Sequence, residues 1–168
     1  VDLLSRNTTM TLSRDAAGGN ALSFAPPTFY DGQGVMVPTA SGIKTLKDLA
    51  GKPICVESGT TTELNLADRM REQNIPYTPL KFQTGDQTYA AYLQGRCVAV
   101  TSDRSQLAGK RSSFPTPDAH TLLPDVMSKE PLTPASVNAD PVWADAVRWT
   151  VNTPVSYTHL TLPTILLV

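Results

Sequence analysis

The fold of this chain is decided by the stretch ESGTTTE at residues 57–63. A short apolar run over residues 53–56 precedes it, and apolar residues at helical spacing follow it from Leu64 onward. We therefore predict that the stretch lies where a strand passes into a helix. The first amides of a helix have no intrahelical acceptor and form the positive end of its dipole, so this position suits an anion.

Residues of two kinds within this stretch favour a ligand. Gly59 lets the backbone approach a bound group closely, and the hydroxyls of Thr60 and Thr61 add hydrogen-bond donors. Because no lysine follows the glycine, the pattern differs from that of a phosphate-binding loop, and a carboxylate is the expected ligand. The alternative is that Thr60 and Glu63 form a capping box at the helix start and that nothing binds there.

Strands and helices alternate along residues 45–123. We predict strands over residues 53–57, 77–82, 97–101 and 120–123, separated by helices that end near residues 49, 72, 94 and 110. Further extended segments are expected at residues 1–5, 28–30 and 34–37, with a helical turn at 11–15 and a helix from Trp143. The alternation predicts an α/β fold with a parallel sheet. Ligands of such sheets bind at the carboxyl ends of the strands, where both the 57–63 stretch and Ser102-Asp103 are expected.

The composition is that of an ordinary globular protein. The 168 residues carry a net charge of −1, and 40% of them are hydrophobic. Because lysine and arginine form no basic run, we expect no nucleic-acid partner. No run approaches the roughly 18 apolar residues that a membrane span needs, so no membrane insertion is expected. We expect no cofactor.

Two cysteines, Cys55 and Cys97, each lie in or at the start of an apolar run that is predicted to be a strand. Neighbouring parallel strands could hold them at disulfide distance, and an even number of cysteines fits an oxidising compartment. The alternative is a pair of buried free thiols. No nearby histidine supplies the remaining ligands of a zinc site, so no metal is expected.

Several motifs at matched spacing resemble one family of proteins. They read VDLLSRNTTMTLSRD at 1–15, FYDGQGVMV at 29–37, CVESGTTTELNLAD at 55–68, YLQGRC at 92–97, TSDRSQLA at 101–108 and MSKEPL at 127–132. Together they resemble the periplasmic solute-binding proteins of ABC transporters for polar amino acids, within bacterial extracellular solute-binding protein family 3. Within this family the chain looks like the general L-amino-acid-binding group.

The resemblance implies a type II periplasmic binding fold, in which two α/β lobes joined by two strands close on an L-amino acid. Residues 1–37 would form part of lobe I with the first hinge strand, and residues 38–130 would form a complete lobe II. Residues 131–153 would supply the second hinge strand and another part of lobe I. We therefore expect the chain to be a fragment that lacks a signal peptide.

The resemblance also implies roles for individual residues. Arg14 would bind the ligand α-carboxylate with its bidentate guanidinium, and Thr61 would bind the same carboxylate together with the amides at its helix start. Asp103 would pair with the α-ammonium group. Asn7 and Thr9 would supply neighbouring contacts.

Each charged assignment has a simpler alternative. Arg14 could be a surface residue beside Asp15, and Asp103 could be the N-cap of the helix that follows it.

The implied function is binding without catalysis, by a monomer in the periplasm that delivers its ligand to an inner-membrane ABC permease. An enzyme on the same fold, similar to cyclohexadienyl dehydratase, is an alternative that would need an acid or base. Glu57 is the better candidate for that role and His120 the weaker one. A ligand-sensing receptor domain is the third possibility.

The end of the chain has a different character. The run VSYTHLTLPT at residues 155–164 resembles the translation of an adapter used in DNA sequencing. We therefore expect residues 154–168 to be read-through, with the genuine sequence ending near Thr153.

Overall fold

The computed structural model describes the backbone of residues 2–165 and the side chains of residues 2–153. The chain folds as two compact units, which pass into each other at Tyr30–Asp31 and at Glu130–Pro131. We call residues 31–130 the central unit, and the described residues on either side of it the terminal unit.

Ten strands and five helices make up the described chain. The strands are β1 (Leu3–Leu4), β2 (Leu22–Phe24), β3 (Phe29–Asp31), β4 (Gln33–Pro38), β5 (Pro53–Glu57), β6 (Thr78–Phe82), β7 (Ala99–Asp103), β8 (His120–Leu122), β9 (Glu130–Leu132) and β10 (Ala135–Val137). The helices are α1 (Leu12–Asp15), α2 (Thr61–Glu72), α3 (Gly85–Leu93), α4 (Arg104–Ser112) and α5 (Pro141–Ile165). Short 3-10 helices lie at Thr39–Ser41, Leu46–Leu49 and Pro117–Ala119.

The central unit is built on a five-stranded sheet with the order β6-β5-β7-β4-β8. Strand β5 pairs in parallel with β6 and with β7, whereas β4 pairs antiparallel with β7 and with β8. The predicted α/β class with parallel strands is confirmed. The carboxyl ends of β5, β6 and β7 lie at the same edge of the sheet, where β5 leads into α2 and β7 leads into α4.

One predicted boundary differs from the structure. The resemblance implies that residues 1–37 belong to lobe I and include the first hinge strand, but the central unit begins at Asp31 and Gln33–Pro38 forms β4 inside its sheet. The physical reason is burial: the five residues from Gln33 to Val37 are all buried between the two neighbouring strands. Such an apolar run is more stable inside a sheet than in an exposed connection between lobes.

Side chains alternate between the two faces of this sheet, and helices cover both faces. On β5, Ile54 and Val56 pack in one cluster with Leu66 of α2, whereas Cys55 packs in the opposite cluster with Tyr92 of α3. The alternation follows from the two-residue period of a strand. Burial on both faces explains why residues 54–56 of β5 are continuously apolar.

The Cys55–Cys97 disulfide lies in the second of these clusters. The two Cα atoms are 5.7 Å apart, within the ordinary range for a disulfide, and both residues are buried. The predicted pairing is confirmed. It links β5 to the segment just before β7, because this strand begins at Ala99 rather than at the predicted Cys97.

The terminal unit has a smaller sheet of three antiparallel strands with the order β1-β10-β2. The sequence predicts β1 and the turn that becomes α1, but neither β2 nor β10. Strands β3 and β9 form a separate two-stranded sheet at the two points where the chain passes between the units.

No helix in the described part of the chain is long and apolar enough to cross a membrane. The backbone of α5 continues to Ile165. We predicted that residues 154–168 are read-through. The side chains of these residues, and the backbone of residues 166–168, lie outside the described part of the chain, so this prediction is not tested.

Candidate functional site

The candidate site in the central unit begins at the tight turn between β5 and α2. Gly59 has a φ of +71°, a left-handed conformation that glycine adopts without strain. The Ser58 amide donates to the Phe82 carbonyl at 2.8 Å, and the Thr60 hydroxyl donates to the Glu57 carbonyl at 2.8 Å. The turn is thereby fixed to the ends of both β5 and β6.

Thr60 is the N-cap of α2, and its hydroxyl accepts from the Glu63 amide at 3.2 Å. The Glu63 carboxylate accepts from the Gly59 amide at 2.7 Å and pairs with Lys81 at 2.6 Å. The capping arrangement predicted as the alternative therefore forms, although Glu63 reaches Gly59 rather than the amide of Thr60. The capping arrangement uses the Gly59 amide. The amides of Thr61 and Thr62 lie in the first turn of α2 and therefore have no acceptor within the helix.

The pKa values of this ion pair are shifted in opposite directions. The hydrogen bonds from Lys81 and from the Gly59 amide hold the pKa of Glu63 below its ordinary value. The same pairing raises the pKa of Lys81. Both groups are therefore charged at neutral pH, and a full negative charge lies in the first turn of α2.

A buried glutamine supports the start of α2 from beneath. The amide nitrogen Nε2 of Gln33 donates to the Thr62 carbonyl and to the Thr101 hydroxyl, each at 2.9 Å. Gln33 is fully buried, and its Oε1 atom has no hydrogen-bond partner among the described residues. Gln33 was not predicted as a site residue, although a polar glutamine next to the apolar run at residues 35–37 is a usable signal.

Asp103 ends β7 at the same edge of the sheet. It is 5% exposed, and its Cα lies opposite that of Gln33 in the register of β7 and β4. Asp103 occupies the N-cap position of α4, but its side chain makes no capping hydrogen bond. This observation argues against the alternative in which Asp103 serves only to cap the helix.

Three predicted residues lie close together in the terminal unit. Arg14, in α1, donates from Nη1 to the Thr9 carbonyl at 2.8 Å. Thr9 is buried and forms an isolated bridge to Leu132, whereas Asn7 is exposed. Arg14 is partly exposed, and within the described residues no ion pair joins it to Asp15.

The predicted residues thus form two groups, one in each unit. Gly59, Thr60 and Thr61 share one turn of the central unit, and Asp103 ends the strand next to β5. The terminal unit holds Asn7, Thr9 and Arg14 within eight residues of chain. The first group offers helix amides, hydroxyls and a buried carboxylate, and the second offers a guanidinium that is already oriented by the backbone.

Comparison with solved structures defines the class of fold. An ABC transporter periplasmic binding protein from Brucella ovis, solved with glutathione bound, is 46% identical and superposes with a TM-score of 0.83 over 89% of this chain and 47% of that chain. An ancestral arginine-binding protein bound to arginine is 21% identical, with a TM-score of 0.76 over 91% of this chain and 65% of that one. The fold is that of the type II periplasmic binding proteins.

Comparison with curated proteins is more specific. The general L-amino acid-binding periplasmic protein of Rhizobium johnstonii is 48% identical over 150 residues, which are 89% of this chain and 43% of the relative. A glutamate/glutamine/aspartate/asparagine-binding protein of Rhodobacter capsulatus is 42% identical over 149 residues, 89% of this chain and 44% of the relative. No family model matches the chain.

This chain is therefore homologous to the amino-acid-binding proteins of ABC transporters, and the resemblance predicted from its motifs is confirmed. A putative amino-acid ABC transporter-binding protein of Escherichia coli K12, 44% identical over 151 residues, gives the same result over 90% of this chain and 44% of the relative. The chain spans less than half the length of these curated relatives, all of which are named as binding proteins.

Proposed function

We propose that this protein binds L-amino acids in the periplasm and delivers them to an inner-membrane ABC permease, without catalysing a reaction. One observation in the central unit carries the proposal: a helix start suited to an anion and a buried carboxylate, Asp103, lie at the same edge of one sheet. An amino-acid zwitterion needs a cationic or amide-rich partner for its carboxylate and an anionic partner for its ammonium group. The homology to named amino-acid-binding proteins supports the same conclusion.

Three residues would bind the charges of the ligand. Arg14 would hold the α-carboxylate with its guanidinium fork, and Thr61 would donate to the same group from its hydroxyl and its amide. Asp103 would accept from the α-ammonium group. Removing two charges from water costs several kcal/mol per ion in typical proteins, so each charge of the ligand needs such a partner.

The remaining predicted residues would support these three. Thr60 fixes the start of α2 as its N-cap, and Gly59 provides the backbone conformation that the turn requires. Because the Gly59 amide already donates to Glu63, we assign Gly59 a conformational role in the site. Thr9 orients Arg14 through its carbonyl, and Asn7 would add a polar contact at the surface.

The central unit would be lobe II of a two-lobed binding protein, and the terminal unit would belong to lobe I. The buried Cys55–Cys97 disulfide supports a periplasmic location, because disulfides persist in oxidising compartments. The relatives named for glutamate, glutamine, aspartate and asparagine favour a polar amino acid as the ligand. We expect the protein to act as a monomer without a metal or other cofactor.

Calorimetry with a panel of L-amino acids tests the proposal directly. We expect at least one polar L-amino acid to bind. Its methyl ester, which lacks the carboxylate charge, and its N-acetyl derivative, which lacks the ammonium charge, should each bind at least about 30-fold more weakly. Equal affinity for the amino acid and both derivatives would contradict the proposal, as would conversion of the ligand to a product.

A further inference from the structure

We propose that Glu63 and Lys81 form a charge-compensated brace that positions the 58–61 turn and sets its affinity for a carboxylate. The proposal rests on the proposed function, since it concerns the turn that would bind the ligand α-carboxylate. It adds two positioning residues that are not expected to touch the ligand.

The brace consists of one carboxylate with two partners. Glu63 accepts the Gly59 amide on Oε2 at 2.7 Å, and its Oε1 lies 2.6 Å from the ammonium group of Lys81. The Glu63 side chain is only 20% exposed, whereas that of Lys81 is 53% exposed. A partly buried carboxylate that receives two charge-assisted bonds is held in one geometry better than a side chain at a free surface.

The brace also joins the turn to a neighbouring strand. Lys81 lies on β6, and the next residue, Phe82, accepts the Ser58 amide through its carbonyl at 2.8 Å. Adjacent residues of β6 thus hold the turn at two points, one through the backbone and one through Glu63. Because Gly59 is the most conformationally permissive residue of the turn, we infer that the bond to its amide restricts the turn most.

The charge of Glu63 has a consequence for any anionic ligand. This negative charge lies in the first turn of α2, whose amides would bind the ligand carboxylate. Two negative charges that close together repel each other. Lys81 cancels the repulsion while Glu63 keeps its bond to Gly59. The pair therefore fixes the conformation of the turn without leaving a net negative charge that would repel a carboxylate.

A matched control is present in the same unit. Lys110 pairs with Asp86 at 2.8 Å, and Asp86 also lies in the first turn of a helix, α3. The Asp86 side chain is 89% exposed, so this ion pair is an ordinary surface contact of the kind that contributes little. Lys110→Met removes the same charge as Lys81→Met but leaves the 57–63 turn untouched.

The test is a double-mutant cycle measured by calorimetry, with L-glutamine as the probe. Lys81→Met should weaken binding about five- to tenfold, because the charge of Glu63 then faces the ligand carboxylate uncompensated. Adding Glu63→Gln to this variant should restore affinity to within about threefold of the unaltered protein, since the repulsive charge is gone and the amide oxygen of the glutamine can still accept from the Gly59 amide. Lys110→Met and Lys81→Arg should bind as the unaltered protein does.

Salt separates the electrostatic role from a merely structural one. The defect of Lys81→Met should shrink when ionic strength rises from 0.05 M to 0.5 M, because the repulsion is then screened. Unaltered affinity in Lys81→Met, or no recovery in the double variant, would overturn the brace while leaving amino-acid binding in place. If the unaltered protein binds no amino acid at all, the proposed function fails and the brace fails with it.

Discussion

The central and terminal units differ most in how their apolar side chains are covered. The central unit buries apolar residues on both faces of a five-stranded sheet and adds a disulfide to one of the two clusters. The terminal unit has strands of two or three residues and leaves Leu12, Tyr30 and Trp149 exposed by 83%, 77% and 60%. In the terminal unit the buried apolar residues are Ala25, Leu132, Ala135 and Val147.

The difference indicates that stability is distributed unequally between the two units. Hydrophobic burial is the main stabilising contribution in a domain, so we expect the central unit to be the more stable one. Each unit nevertheless holds one charged residue of the proposed site, Arg14 in the terminal unit and Asp103 in the central unit. Segments that bind ligands are commonly drawn from the less stable parts of a protein.

Removing the disulfide should have the largest effect on this comparison. The bond closes a loop of 42 residues, for which loop-closure entropy gives about 4 kcal/mol. Replacing Cys55 and Cys97 by alanine should lower the free energy of unfolding of the central unit by roughly that amount. Urea denaturation followed by hydrogen exchange checks this, with the terminal unit as the internal control. An unchanged urea midpoint would show that the bond does not stabilise the unit.

Removing a charged residue from either unit should weaken binding by a similar amount. Arg14→Ala and Asp103→Asn should each cost roughly 2–5 kcal/mol of binding free energy, because each leaves one ligand charge without its partner. Calorimetry measures the loss, and the melting temperature checks that each variant is folded. Unaltered affinity in Arg14→Ala would remove the terminal unit from the site, and unaltered affinity in Asp103→Asn would remove the carboxylate from it.

A pair of leucines compares the two units directly. Leu66 on α2 is fully buried, whereas Leu12 on α1 is exposed. Leu66→Ala should lower the free energy of unfolding by about 3 kcal/mol, since it leaves a cavity in a packed core. Leu12→Ala should change it by less than about 0.5 kcal/mol. Equal losses in urea denaturation would mean that the two units are packed to a similar degree.

The smallest expected effect concerns pH and His120 in the central unit. The Tyr92 hydroxyl lies 2.8 Å from Nδ1 of His120, and burial, assisted by Arg111, holds the pKa of His120 below its ordinary 6.5. The unfolded chain therefore binds more protons just below pH 6.5, so this contribution to stability is complete above pH 6.5 and is lost as pH falls through the folded value.

His120→Gln should abolish this slope, which is small because solvent screens a partly exposed ring. Thermal melting between pH 5 and pH 7.5 measures it. If His120→Gln keeps the full pH dependence of the melting temperature, a group other than His120 must cause it.

Much of the central unit could be predicted because its sequence carries strong local signals. The strand at Pro53–Glu57 and the helix at Thr61–Glu72 have the predicted bounds, since an apolar run, a glycine in a left-handed turn and a threonine N-cap mark the boundary between them. The short strands β2 and β10 were missed because three residues are too few to show a period. Strand β4 was assigned to the hinge because its place in the sheet depends on pairing with β7 and β8, which are distant in sequence.

The site could be predicted only in part for the same reason. Thr60 and Glu63 follow from a local capping pattern, and the structure bears out that interaction. The contacts of Gln33 with Thr62 and Thr101 cross between distant parts of the chain, as does the Glu63–Lys81 pair. No local sequence pattern predicts these long-range contacts, because they depend on how distant segments come together in the folded chain.

Hydrogen exchange with and without L-glutamine tests most directly the proposal that residues of both units bind one amino acid. We expect the ligand to slow exchange in residues 7–14 of the terminal unit and in residues 58–63 and 102–104 of the central unit, all with the same dependence on ligand concentration. Protection confined to one unit, or protection of the two units at clearly different concentrations, would contradict the claim.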